Sequence, residues 1–239
     1  MRRALVTGGS GTIGAAICRK LAADGAHVYV HANHGTDRSE AIAASIREAG
    51  GSASAVSFDV TDADRTEAAL EALTAEGVIQ ILVNNAGLHD DAVMPGMRPD
   101  QWSSVIDVTL NGFFNVTQPL LMPMIGTRWG RILSLSSVSA LVGNRGQVNY
   151  AAAKSGLHGA TKSLSLELAS RGITVNAIAP GIIASAMADA AFDKDRIERL
   201  VPMKRAGTAE EVAELAAFLA SDRAAYISGQ IISINGGMI

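Results

Sequence analysis

Tyr150-Ala151-Ala152-Ala153-Lys154 sets a phenol and an ammonium four residues apart. On a helix that spacing puts both on one face. An ammonium beside a phenol favours phenolate, drawing a reference pKa of about 10 downward and making the tyrosine a proton donor or acceptor. Taken alone, such a pair is common, and the reading as an exposed helical pair prevails. Upstream, Ile132-Leu133-Ser134-Leu135-Ser136-Ser137 has the pattern of a buried strand. Its terminal hydroxyls fall at the carboxyl end of the sheet, where open α/β folds bind ligands.

A second constellation opens the chain. Ala4-Leu5-Val6-Thr7 is followed by Gly8, Gly9, Ser10, Gly11, Thr12, Ile13 and Gly14. Read as Gly9-x-Gly11-x-x-Gly14 between a strand and a helix, it fits a dinucleotide fingerprint, in which absent side chains let backbone N–H groups and a helix N-terminus approach a pyrophosphate. The plain alternative is a strand-to-helix turn. Past the second strand, Val30-His31-Ala32-Asn33-His34 carries no acid until Asp37. An acid there would bond the adenosine ribose hydroxyls and select NAD; without one, Asn33 and His34 can donate to a 2′-phosphate, Arg38 can neutralise it, and NADP(H) is favoured over NAD. His31 and His34 lack a third ligand nearby, so no metal site is expected.

The elements that must position these groups alternate. Short β-branched or apolar runs are expected as strands at Ala4–Thr7, Ala26–His31, Ser54–Val60, Ile81–Asn84, Arg131–Ser136, Thr174–Ala179 and Gln230–Ile234. Segments of helical period are expected at Gly14–Asp24, Arg38–Ala49 and Asp64–Ala75. That rhythm is the signature of an α/β protein, a parallel sheet with helices on both faces. No repeat, low-complexity tract or Pro/Ser-rich linker divides the 239 residues, so residues 1–239 are expected to form a single dinucleotide-binding and catalytic domain.

Composition excludes other classes. Apolar residues make up 48% and charged residues 18%, which rules out disorder as the main state. With 20 Lys+Arg against 23 Asp+Glu and no basic block, neither a nucleic-acid stripe nor a polybasic membrane anchor is present. Cys18 is the only cysteine, which excludes an internal disulfide and suits a reducing compartment; cytoplasm is the expected location. Val108–Thr127, free of charge, is interrupted by Pro119, Pro123, Gly112 and Gly126 and is a poor membrane span. The apolar run after Arg2-Arg3 is too short for a signal peptide.

The motifs together resemble the short-chain dehydrogenase/reductase family, and within it the 3-oxoacyl-acyl-carrier-protein reductases. The resemblance runs through Thr7–Gly14, Asp59-Val60, Asn84-Asn85-Ala86-Gly87, Ser137 thirteen residues before Tyr150, Gly143–Lys154, Pro180-Gly181 and Asn235-Gly236-Gly237. It implies a single-domain Rossmann-type doubly wound parallel sheet and NADPH-dependent reduction of a 3-oxoacyl thioester in fatty-acid or polyketide-type synthesis. In that reading Tyr150 protonates the carbonyl oxygen, Ser137 orients it, and Lys154 tunes Tyr150 and holds the nicotinamide ribose. The resemblance further implies that Asp59 meets the adenine amino group, Val60 flanks the ring, Asn85, Ala86 and Gly87 line the adenosine ribose, and Ile183 and Ser185, after Pro180 and Gly181, meet the carboxamide. Ser185–Leu200 corresponds to the family's substrate lid. Arg128 and Arg171 match basic positions that meet the acidic acyl-carrier protein near the entrance, and a homotetramer is expected. The remaining alternatives are another alcohol or sugar-alcohol dehydrogenase of the same scaffold and a weakly active cofactor-binding partner subunit.

Two departures stand out. Thr12 occupies the position of the family's middle loop glycine, and Gly11 that of an Arg often used for the 2′-phosphate; the loop spacing resembles the extended branch that includes sugar-nucleotide epimerases, although the chain has no room for their substrate domain. In Asp107-Val108-Thr109-Leu110-Asn111, Thr109 replaces the family's catalytic Asn, while Asn111 is two positions late and faces elsewhere. A Thr109 hydroxyl bonded to a preceding carbonyl would bend the helix as that Asn does, giving a working but modified proton relay.

Overall fold

The computed structural model describes residues 1–34, 36–185 and 193–239. Its centre is one seven-stranded parallel sheet with β1 (Arg3–Val6), β2 (His27–Ala32), β3 (Ser52–Ser57), β4 (Ile79–Asn84), β5 (Gly130–Leu135), β6 (Ile173–Pro180) and β7 (Ile231–Ile234). The spatial order is β3-β2-β1-β4-β5-β6-β7. Strand order reverses between β1 and β4, and at such a switch point the loops leaving the carboxyl ends diverge and open a crevice. This is the parallel sheet that the alternation of elements implied, in the Rossmann-type order that the family resemblance implied.

Strand side chains alternate between two apolar layers, because successive residues point to opposite faces. Ala4, Val6, Val28, Val30, Ile81 and Val83 pack beneath α1 (Thr12–Ala23), α2 (Thr36–Glu48) and α9 (Ala209–Leu219). Leu5, Tyr29, Leu82 and Ile132 pack on the other face, beneath α3 (Ala63–Ala75), α5 (Gly112–Thr127) and the carboxyl end of α7 (Val148–Leu168). Burial on both faces explains why the strands read as near-continuous apolar runs.

Two segments differ from the reading by period. The third strand begins at Ser52, two residues early, and ends at Ser57. Ala32 pairs with Ser57 at the end of β2, so Phe58–Val60 leave the sheet and enter the crevice region. Between β4 and β5, where periodicity gave no element, α4 (Pro99–Ile106) continues through a π-helical turn, Asp107–Asn111, into α5. Pro119 and Pro123 lie inside α5 and remove two backbone donors, which obscured its helical pattern. The described residues also form two short α-helices, α6 (Ser139–Val142) and α8 (Lys194–Leu200), and three single 3₁₀ turns; the part of the expected lid from 186 to 192 lies outside the described residues.

Candidate active site

The glycine-rich loop is held from three sides. Gly8 adopts φ +62°, and a Cβ there would stand 3.0 Å from the Ala86 Cα. A Cβ on Gly14 would come within 2.3 Å of the Gly8 carbonyl oxygen, so the first turn of α1 presses directly on the loop. Gly9 is nearly as confined, whereas Gly11 meets only an ordinary contact at 3.4 Å. Thr12, in place of a glycine, is the exposed first residue of α1 behind the Gly11 N-cap, and Ile13 packs against the core. Ser10 accepts a bond through its carbonyl from the Arg38 guanidinium at 3.0 Å, which carries a cation from α2 to the loop.

The end of β4 supplies the second wall. The Thr7 hydroxyl accepts from the backbone N–H groups of Asn85 and Ala86, both at 3.0 Å. Asn85 Nδ2 donates to the carbonyls of Thr7 and Gly8 at 2.9 and 3.0 Å. A Cβ on Gly87 would approach Lys154 Nζ to 3.1 Å, so glycine keeps space open next to the ammonium. Beyond β3, Asp59 accepts from the Thr61 N–H and hydroxyl, which hold its carboxyl below the usual range, and Val60 is buried against Gly112. Asn33 and His34 are exposed at the tip of β2. A loop with unfilled glycine space, a helix N-terminus, a neighbouring cation and a second wall fits an extended dinucleotide.

Ser137, Tyr150 and Lys154 converge at the end of β5. The Ser137 hydroxyl is close enough to the Tyr150 phenol to favour its ionised form. Val138 N–H donates to the Pro180 carbonyl at 2.8 Å, which brings the end of β6, with Pro180 and Gly181, alongside Ser137. Ile183 pairs in a bridge with Gly207, and Ser185 is the last described residue of that segment. A cavity of about 310 Å³ behind it is lined by Ile183, Met203, Arg205 and Asn235, but by none of Ser137, Tyr150 and Lys154.

The electrostatics differ from the expected pair. Lys154 Nζ lies 5.7 Å from the centre of the Tyr150 ring and donates to the Leu135 carbonyl at 2.7 Å. Burial pushes this ammonium down to about 8. The Tyr150 phenol is raised, chiefly by burial and further by Asp91, with the nearby Ser137 hydroxyl opposing. The ammonium lies over the ring and is not among the groups that shift the phenol, so the lowering expected from helical spacing is not the prevailing effect.

The mouth of the site contains residues to which spacing gave no role. Asn149, fully buried, donates to the carbonyls of Asp90 and Gln101 at 3.0 and 2.8 Å and accepts from the Tyr150 N–H, anchoring the start of α7. Gln147 donates to Asp91 at 2.8 Å, and the His89 ring stands edge-on to Tyr150. The quoted motif contained Asn149 and Gln147; their polarity inside a segment that had to be buried was the available signal.

Thr109 corrects an expectation. It is buried in the π-helical turn, yet its hydroxyl has no hydrogen-bond partner, so it does not bond back to a preceding carbonyl. The π turn itself supplies the distortion. Asn111 points outward and bonds Asp107 at 2.7 Å, as its offset required. Arg128 and Arg171 are exposed at the amino-terminal ends of β5 and β6, opposite Ser137 and Tyr150, so within one chain they do not flank the entrance. Arg128 donates instead to the Ser170 carbonyl.

Comparison with known proteins agrees with this architecture. Residues 8–239 match the family model described as Enoyl-(Acyl carrier protein) reductase. The 3-oxoacyl-acyl-carrier-protein reductase FabG of Aggregatibacter actinomycetemcomitans is 44% identical, with 98% of each chain covered. That of Staphylococcus aureus (strain N315) is 44% identical over 99% of this chain and 98% of its own. That of Escherichia coli (strain K12) is 45% identical over 98% and 96%.

Proposed function

Because the chain belongs to the short-chain dehydrogenase/reductase family, we propose that it is an NADPH-dependent 3-oxoacyl-acyl-carrier-protein reductase of fatty-acid or polyketide-type synthesis. The observation that carries the reading is the convergence of the Ser137 hydroxyl and Tyr150 phenol beside a buried Lys154. The family implies a nicotinamide cofactor. NADP(H) is supported by the missing acid at the tip of β2 and by Arg38 bonded to the loop at Ser10.

The chemistry a bound nicotinamide supplies is hydride delivery to the carbonyl carbon. Tyr150, held protonated by burial, donates its proton to the carbonyl oxygen as negative charge develops there. Ser137 donates a hydrogen bond to that oxygen and positions it. Lys154 offers donors to the nicotinamide ribose beside Gly87. The glycine loop, Asn33, His34, Asp59, Val60, Asn85–Gly87, Pro180, Gly181, Ile183 and Ser185 are assigned to cofactor binding. Residues 1–239 act as one unit. The substrate arrives on an acyl-carrier protein, in keeping with the names of the relatives, and the working assembly is a homotetramer.

The test is consumption of NADPH and NADH with a short 3-oxoacyl thioester, against free ketones. NADPH oxidation with the thioester is expected to prevail, and Tyr150→Phe is expected to lower kcat about a hundred- to ten-thousandfold with cofactor affinity kept. Cofactor binding without turnover of any ketone would instead favour a partner-subunit role, to which the unpaired Thr109 hydroxyl lends some motive.

A further inference from the structure

His31 is fully inside the protein, 1% exposed, at the carboxyl end of β2. Both ring nitrogens are used. The Gly8 N–H donates to Nδ1 at 3.1 Å, and Nε2 lies 2.8 Å from the Phe58 carbonyl oxygen. A nitrogen that accepts from an N–H carries no proton, and a nitrogen facing a carbonyl must carry one. The two contacts therefore define one species, the neutral imidazole with its proton on Nε2. The ring is also packed against the Phe58 side chain, 4.2 Å between centres, which fixes its plane. Burial, opposed by the Phe58 bond and by nearby Asp59, holds the imidazole neutral down to about 4.

The two partners belong to different parts of the groove. Gly8 is the left-handed residue on which the glycine loop turns, and its carbonyl is held from the other side by Asn85 and by the Gly11 N–H. Phe58 immediately precedes Asp59 and Val60. One imidazole thus links the first peptide of the phosphate loop to the start of the segment assigned to adenine.

We propose that His31 is a positioning residue for the dinucleotide, setting the distance between the glycine loop and the Asp59–Val60 segment through an Nε2–H imidazole. This rests on the reading of the groove as a nicotinamide-cofactor site. His31 touches neither the carbonyl nor the catalytic hydroxyls, so its effect falls on cofactor binding rather than on the chemical step.

The experiment pairs NADPH titration by fluorescence with imidazole ¹⁵N NMR of the cofactor-free protein. His31→Leu leaves the part-buried Gly8 N–H without its acceptor and is expected to weaken NADPH binding about ten- to a hundredfold, while kcat at saturating NADPH stays within about twofold. His31→Asn puts Oδ1 where Nδ1 stands and is expected to recover part of the affinity. NMR is expected to show Nδ1 unprotonated. Unchanged NADPH affinity in folded His31→Leu, no recovery in His31→Asn, or a proton on Nδ1 would each overturn the proposal. If His31→Leu fails to fold, the NMR tautomer and the affinity of His31→Asn decide. A wild-type protein that binds neither NADPH nor NADH would defeat the functional reading itself; a wild type that binds, with variants unaffected, defeats only the role of His31.

Discussion

Lys154, proposed to hold a ribose hydroxyl, is buried with the Leu135 carbonyl as the hydrogen-bond acceptor of its ammonium. Its folded pKa of about 8 against 10.5 means that the folded chain binds fewer protons than the unfolded chain between those values. Stability should therefore rise with pH across that window, and below pH 8 the buried charge costs on the order of 3 kcal/mol. Lys154→Met should be inactive but at least as stable as the wild type at pH 7, with an advantage that shrinks from pH 8 to 10.5. Denaturant unfolding of both proteins at several pH values measures this; a Met variant less stable at pH 7 by an amount independent of pH would show that the charge is better satisfied than the carbonyl contact suggests. At this scale the sequence was half legible. Helical spacing brought Tyr150 and Lys154 to one face, but whether the ammonium meets the hydroxyl or the ring depends on rotamer and on the Leu135 carbonyl, which belong to a strand distant in sequence.

Elements turn those residues into a site by backbone contact, and two glycines of one loop should behave oppositely. Gly14→Ala drives a Cβ into the Gly8 backbone carbonyl at 2.3 Å, which has no flexible end to give way, and should lower stability by about 1–3 kcal/mol and weaken NADPH binding with it. Gly11→Ala has φ −82° and an ordinary contact, so it should stay within about 0.5 kcal/mol of wild type. Thermal unfolding of the two variants, with NADPH titration, separates them. The glycine pattern in the sequence ranked both alike, because spacing carries no information about which Cβ has space. The π turn was equally hidden: period-based reading has no template for a five-residue turn followed by two prolines. Its buried Thr109 hydroxyl lacks a partner, and removing an unsatisfied hydroxyl costs little. Thr109→Val should keep or raise stability, by up to about 1 kcal/mol; a clear loss in chemical denaturation would mean that the hydroxyl is paired. Thr109→Asn addresses the relay, for which an unchanged rate and pH profile would count against any role of this position in proton transfer.

On the scale of the whole molecule, the alternation of strands and helices was enough to place ligand binding at the carboxyl end of the sheet, because a parallel sheet has only one end where loops and helix N-termini meet; that the crevice opens between β1 and β4 follows from the strand order, which alternation does not carry. Which surface remains outside was not legible, since exposure of single apolar residues is ordinary and no period marks it. The structure exposes Phe114 and Met122 on α5 and Leu166 on α7, the last 84% exposed. These helices cover the same face of the sheet, and apolar side chains of this size on one layer suit burial against further copies of the chain. Such burial would bear on the carrier protein. Arg128 and Arg171 stand at the sheet end opposite Tyr150, so they can guide a carrier to an entrance only if that entrance belongs to a neighbouring copy. Sedimentation should give a tetramer for the wild type and smaller species for Phe114→Glu with Leu166→Glu. Arg128→Glu with Arg171→Glu should raise KM for a carrier-linked 3-oxoacyl substrate about tenfold or more, with little change for the free thioester, since loss of complementary charge acts on encounter with an acidic partner and a small substrate has no such surface. An equal effect on both substrates would place the arginines' contribution in folding or assembly, and a monomeric wild type with full carrier-linked activity would remove the neighbouring entrance from the account.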